Sequence, residues 1–196
     1  MKQKIKNCFA YASGSVYLQA FSLDYLHQGI LLFAYSLLCF FTPFLIGEPQ
    51  LAAGIAVNAF LILSALELQG WRLLPVIMLP SLGALSRGIV FGPFTPYLLL
   101  LVPFIWIGNA LLVLSFKTIL LKMKKGFGIT LLAGSFIKSV FLFSSAFVLF
   151  SYSLLPSIFL SAMGAFQLAT ALAGGTIAYG IHKSGAARKL IGMAGF

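Results

Sequence analysis

Apolar residues fill six long stretches of this chain, at about 29–46, 51–68, 72–91, 95–116, 127–152 and 156–182, and polar positions gather between them. A run of about 20 mostly apolar residues is what an α-helix needs to cross the hydrocarbon core of a bilayer. The pattern therefore predicts an all-α integral membrane protein, a bundle of six transmembrane helices. Turn signals fall where runs end: Gly47-Glu48-Pro49 closes the first, and Gly92-Pro93-Phe94-Thr95-Pro96 joins the third to the fourth. Pro75 and Pro80 within the third predict a kinked helix.

The flanks divide the chain further. Residues 1–28 read as a basic tail carrying Lys2, Lys4 and Lys6, then an interfacial segment from about Asn7 to Gln28. In that segment Tyr11, Tyr17 and Tyr25 lie at headgroup level and Asp24 and His27 face water. The transmembrane domain spans 29–182, and a basic tail, 183–196, follows with Lys183, Arg188 and Lys189. Between the fourth and fifth runs lies the most basic loop, with Lys117, Lys122, Lys124 and Lys125. Placing the amino terminus in the cytoplasm puts both tails, Arg72 and this loop on one side. Glu48, the 92–96 turn and Ser151-Tyr152-Ser153 then fall on the other. Such asymmetry is the positive-inside pattern, and it predicts that both termini are cytoplasmic.

Composition agrees with a bilayer as solvent. The chain is 61% hydrophobic and 8% charged, with a mean hydropathy of +1.05, which excludes an ordinary soluble domain. A formal charge of +10 would suit nucleic acid, but the basic residues border apolar runs rather than forming a soluble face, so topology explains them and no nucleic-acid partner is expected. Cys8 and Cys39 are too few for an iron–sulfur cluster. One lies beside the basic tail and the other inside a span, so two free thiols are expected.

The spans also hold polar residues that lipid-facing helices do not use: Asn58, Arg87, Asn109, Lys138 and Gln167. An ionisable group at membrane depth is a functional-site hypothesis by default. Arg87, near the outer end of its span, reads either as a ligand contact or as a side chain snorkelling to the headgroups. Asn58, Asn109 and Gln167 read either as ligand contacts or as interhelical hydrogen bonds. Lys138 is about 16 Å of helix from the inner end of its span, too deep to snorkel with ease. Glu67 is the only carboxylate within a span and lies near the cytoplasmic end, one turn from Arg72, where an interfacial ion pair is expected. The missing counter-charge for Lys138 then points to an anionic or polar small molecule. The hairpin 79–114, which carries Arg87 and Asn109, is expected to form one wall of that site. Trp106 is the tryptophan placed to stack on a flat ring there. In the last span Thr170, Gly174 and Ala178 make a small-residue face for close helix approach, within the monomer or against a partner.

Catalytic patterns are absent. There is no GxxxxGK[ST] loop, no HExxH, no paired aspartates to hold a metal and no Ser-His-Asp set within the spans. No enzyme, cofactor or metal site is expected, and uphill transport would draw its energy from another subunit or an ion gradient.

Pro80-Ser81-Leu82 with Arg87-Gly88, Pro103-Phe104-Ile105 with Gly108-Asn109, and Phe166-Gln167-Leu168 running into Ala173-Gly174-Gly175 resemble the substrate-binding S component of energy-coupling-factor vitamin transporters. They also resemble small bacterial membrane proteins often labelled "iron hydrogenase", a label that two cysteines do not fit. The resemblance covers roughly residues 29–182. It implies a six-helix bundle in the bacterial inner membrane that captures a vitamin-like solute and works with a transmembrane coupling subunit and two ATPase subunits. The first span departs from the family in offering only Ala34 where an Ala-xxx-Ala face meets the coupling subunit. A non-transporting structural or assembly factor is the alternative.

Overall fold

The computed structural model describes residues 14–20, 22–46, 50–91 and 94–185. Every regular element among them is helical: α1 (Tyr25–Leu45), α2 (Gln50–Glu67), a 3-10 turn (Gly70–Arg72), α3 (Leu73–Phe91), α4 (Thr95–Ser115), a π-helical continuation of α4 (Phe116–Lys122), α5 (Phe127–Ser151), α6 (Ile158–Met163) and α7 (Ala165–Ser184). Four helical segments are long and apolar enough to cross a membrane, namely Tyr25–Leu45, Thr95–Lys122, Phe127–Ser151 and Ile158–Ser184. The chain is thus an all-α membrane protein. The lysine-rich start of the chain, Cys8, the Gly47-Glu48-Pro49 turn, Gly92-Pro93 and the basic end from 186 lie outside the described residues.

Three boundaries differ from the apolar pattern. The first helix starts at Tyr25, because Asp24 caps it by accepting from the His27 amide at 3.3 Å. Gln28 therefore belongs to the helix and is buried. The His27 ring also bonds the Asp24 carboxylate, and this contact holds the exposed carboxyl below its ordinary range. The fourth helix does not stop at Phe116 but widens into the π-helical turn, which carries Lys117 inward to full burial. The last apolar run is broken at Gly164 (φ −99°, ψ −95°) into α6 and α7. Pro80 lies inside α3, where it supplies no amide hydrogen to the helix ladder.

Helix contacts are close wherever glycine meets a neighbour. A Cβ on Gly174 of α7 would lie 2.4 Å from the Ile55 carbonyl oxygen of α2, and one on Gly83 of α3 would lie 2.1 Å from the Phe40 carbonyl oxygen of α1. Gly175 brings α7 equally close to Leu131 of α5. Thr170, Ala171, Gly174, Gly175 and Ala178 are all buried. The small-residue face is therefore spent inside the molecule, against α2 and α5, and this seam positions the polar groups at the centre.

Candidate functional site

Lys138 stands in the middle of α5, with 3% of its surface exposed, and its Nζ donates to Asn58 Oδ1 at 2.6 Å and to Asn109 Oδ1 at 2.9 Å. Each asparagine is fixed from behind. Asn58 Nδ2 donates to the Gly54 carbonyl one turn back (2.9 Å) and to Thr170 Oγ1 of α7 (3.2 Å). Asn109 Nδ2 donates to the Ile77 carbonyl of α3 at 3.0 Å. An amide has one acceptor oxygen and one donor nitrogen, so using the nitrogen outward presents the oxygen to the amine. Five helices, α2, α3, α4, α5 and α7, thereby meet at one lysine.

The small residues make this geometry possible. Gly54 and Gly174 let α2 and α7 approach until Thr170 reaches Asn58; a Cβ on Gly54 would sit 2.9 Å from Thr170 Cγ2. Thr170 Oγ1 also donates to the Phe166 carbonyl at 2.8 Å. Nearby on α5, Ser139 donates to the Gly164 carbonyl at 2.8 Å, which ties α5 to the break between α6 and α7. Ser135, one turn from Lys138, has a fully buried hydroxyl with no partner among the described residues.

The electrostatics of this centre are unusual. The two described carboxylates are engaged elsewhere: Asp24 bonds His27, and Glu67 accepts from the Tyr35 hydroxyl at 2.5 Å. Glu67 lies nine residues along α2 from Asn58, about 13 Å of helix. Lys138 Nζ thus donates to two neutral amide oxygens and to no carboxylate among the described residues.

Of the five residues nominated by sequence, Asn58, Asn109 and Lys138 converge. Arg87 does not join them. Its Nη1 donates to the Leu45 carbonyl at 3.1 Å, at the end of α1, where a cation suits the unpaired carbonyls and the negative end of the helix dipole. Gln167 is half-buried one turn before Thr170, and its backbone carbonyl accepts from Thr170 Oγ1 at 3.2 Å. Trp106 donates from Nε1 to Ser81 Oγ at 2.6 Å and serves the α3–α4 contact.

A second cluster sits at the carboxyl end of α2. The last carbonyls of a helix lack intrahelical partners. Here Ala20 N donates to Leu66 O at 2.8 Å, Gln19 Nε2 donates to Glu67 O, and Lys117 Nζ donates to Leu68 O at 2.6 Å and to Leu18 O. A strap, residues 18–20, and one lysine from the π-helical turn together close the helix end. The expected ion pair between Glu67 and Arg72 does not form. Arg72 instead donates to Gln28 Oε1 at 2.6 Å and lies over the Tyr25 ring, 4.3 Å from its centroid. Glu67 Oε1 is buried with no partner among the described residues. In the sequence Lys117 reads as a loop residue, because a lysine after an apolar run ordinarily ends it, Thr170 reads only as a small residue, and Ser135 carries no signal.

No protein-family model, curated protein or solved structure matches the chain.

Proposed function

We propose that this chain is a membrane-embedded binding subunit that takes a small anionic or polar, vitamin-like solute at Lys138, with energy for uptake supplied by a separate coupling subunit and two ATPases. The observation that supports the reading is the lysine itself. It is buried at the centre of the bundle, it is held by neutral amide oxygens and by no carboxylate among the described residues, and one turn away on the same helix lies the Ser135 hydroxyl, which has no partner among those residues either. An ammonium buried without a counter-charge is poorly compensated. A carboxylate or phosphate oxygen arriving there would supply the charge and accept the remaining donor, and Asn58 and Asn109 would read the neutral polar edge. The chain carries no phosphate-binding loop of its own, so hydrolysis belongs to a partner. Native mass spectrometry of the purified protein tests this reading: a small acidic molecule is expected to leave with it, and a wholly ligand-free spectrum from gently solubilised protein counts against it.

In this reading the helices make six spans in a bacterial inner membrane, with α6 and α7 sharing the last, and both termini are cytoplasmic. The one-sided placement of lysine and arginine supports that orientation. A cysteine at position 124 is expected to resist membrane-impermeant thiol reagents in intact cells and to react after lysis. Reaction from outside would reverse the topology.

A second reading, a non-transporting structural factor, draws support from the satisfaction of the asparagines. Both amide nitrogens and both amide oxygens have partners across helices, as a purely structural tie requires. The two readings part on what happens when the centre is made apolar.

A further inference from the structure

The seam between α5 and α7 opens, at the end that carries the basic loop, into a groove of about 360 Å³ lined by Phe127, Gly128, Leu131, Thr176 and Tyr179. Two of its walls are aromatic and in contact, the Phe127 and Tyr179 rings standing 4.9 Å apart. Its floor is open at Gly128, where an added Cβ would meet nothing within 4 Å. One cation stands over this aromatic pair and two more precede it in the chain. Lys183 Nζ lies 5.8 Å from the Tyr179 ring centroid, and the exposed Lys124 and Lys125 precede Phe127 by three and two positions. The first turn of α5 contains no acidic residue, and its N-cap, Gly126, provides no side-chain cap to the first amides.

An apolar slot that ends among lysines matches an amphiphile with an acyl chain and an anionic head. We infer that this groove is a binding site for an anionic phospholipid of the surrounding bilayer, its acyl chain along Phe127, Leu131 and Tyr179 and its phosphodiester beside Lys125 and Lys183. A zwitterionic lipid offers the same chain but no net charge to the lysines, so selectivity comes from the headgroup. Basic pockets between helices on the cytoplasmic side hold acidic headgroups in this way. The site is independent of the solute centre, since it shares no residue with Lys138 or its partners.

The full chain in nanodiscs of phosphatidylcholine doped with phosphatidylglycerol, released into the mass spectrometer with its retained lipids, tests the assignment. Phosphatidylglycerol is expected to be retained well above its share of the bilayer. In the triple variant Lys124→Gln, Lys125→Gln, Lys183→Gln that enrichment should fall at least about tenfold, since each lysine near an acidic surface contributes roughly a fivefold preference. Gly128→Leu, which fills the slot without touching charge, should lower retention as well. Added inorganic phosphate should leave retention unchanged. Retention of the two lipids in the bilayer ratio, an unaltered triple variant that melts like wild type, or displacement by inorganic phosphate would each overturn the proposal.

Discussion

Lys138→Met is expected to cost the bundle about 1–3 kcal/mol and to weaken solute binding about 10- to 150-fold. The stability term comes from two interhelical hydrogen bonds, worth roughly 0.6–1.7 kcal/mol each in a membrane setting, whose loss orphans the buried oxygens of Asn58 and Asn109. Against it stands the relief of removing a desolvated amine. Loss wins here because two acceptors are stranded for one amine removed, and a buried unsatisfied acceptor carries its full desolvation penalty. The binding term is the loss of one charge-assisted contact, about 1.5–3 kcal/mol, at about 1.4 kcal/mol per tenfold. Making the whole centre apolar reverses only the first effect. The triple variant Lys138→Met, Asn58→Leu, Asn109→Leu strands no amide of its own and should recover most of the melting temperature. Thermal melting of the purified variants in one detergent checks the order: single below triple, triple close to wild type.

Gly174→Ala should destabilise by about 1–3 kcal/mol, the usual cost of overpacking a well-filled core. The added methyl would sit 2.4 Å from Ile55 O, 2.9 Å from Ala59 N and 3.0 Å from Asn58 Cβ. Two of these neighbours are backbone atoms that no rotamer change can move aside, so α7 must separate from α2. That separation stretches the 3.2 Å bond between Asn58 and Thr170 and disturbs the lysine centre as well. Gly180→Ala on the same helix is the control. Nothing lies within 4 Å of its added Cβ, and alanine is favoured over glycine in a helix by about 0.5–1 kcal/mol. The two Gly→Ala changes should therefore shift the melting temperature in opposite directions, and a shift of the same sign would contradict the packing described at this seam.

Helix positions were legible because a long apolar run announces itself by length and hydropathy, and the described helices begin and end near those runs, four of the helical segments being long and apolar enough to span a membrane. Partners were not legible, because they depend on how each helix is rotated about its axis. Asn58, Asn109 and Lys138 appeared as three isolated polar residues in three runs; their convergence needed the approach that Gly54 and Gly174 allow. Lys117 was hidden by its charge, which in a sequence marks the end of a span. A π-helical turn changes its azimuth and points it at the carbonyls of Leu68, just past α2, and of Leu18 in the strap. Gly164 was hidden for the opposite reason, as one small residue in a run that stays apolar on both sides. Arg87 lies by the end of α1, where its guanidinium donates to the Leu45 carbonyl, a partner that its place in the sequence does not announce.

Under the proposed function Lys138, Asn58 and Asn109 serve a ligand and not only the fold. The most direct measurement is titration of the solute recovered from purified wild-type protein against wild type and the apolar triple variant, each confirmed as folded by its melting curve. Saturable binding is expected for wild type and none for a triple variant of near wild-type stability. Equal affinity in the two proteins would contradict it and leave the polar centre a structural tie.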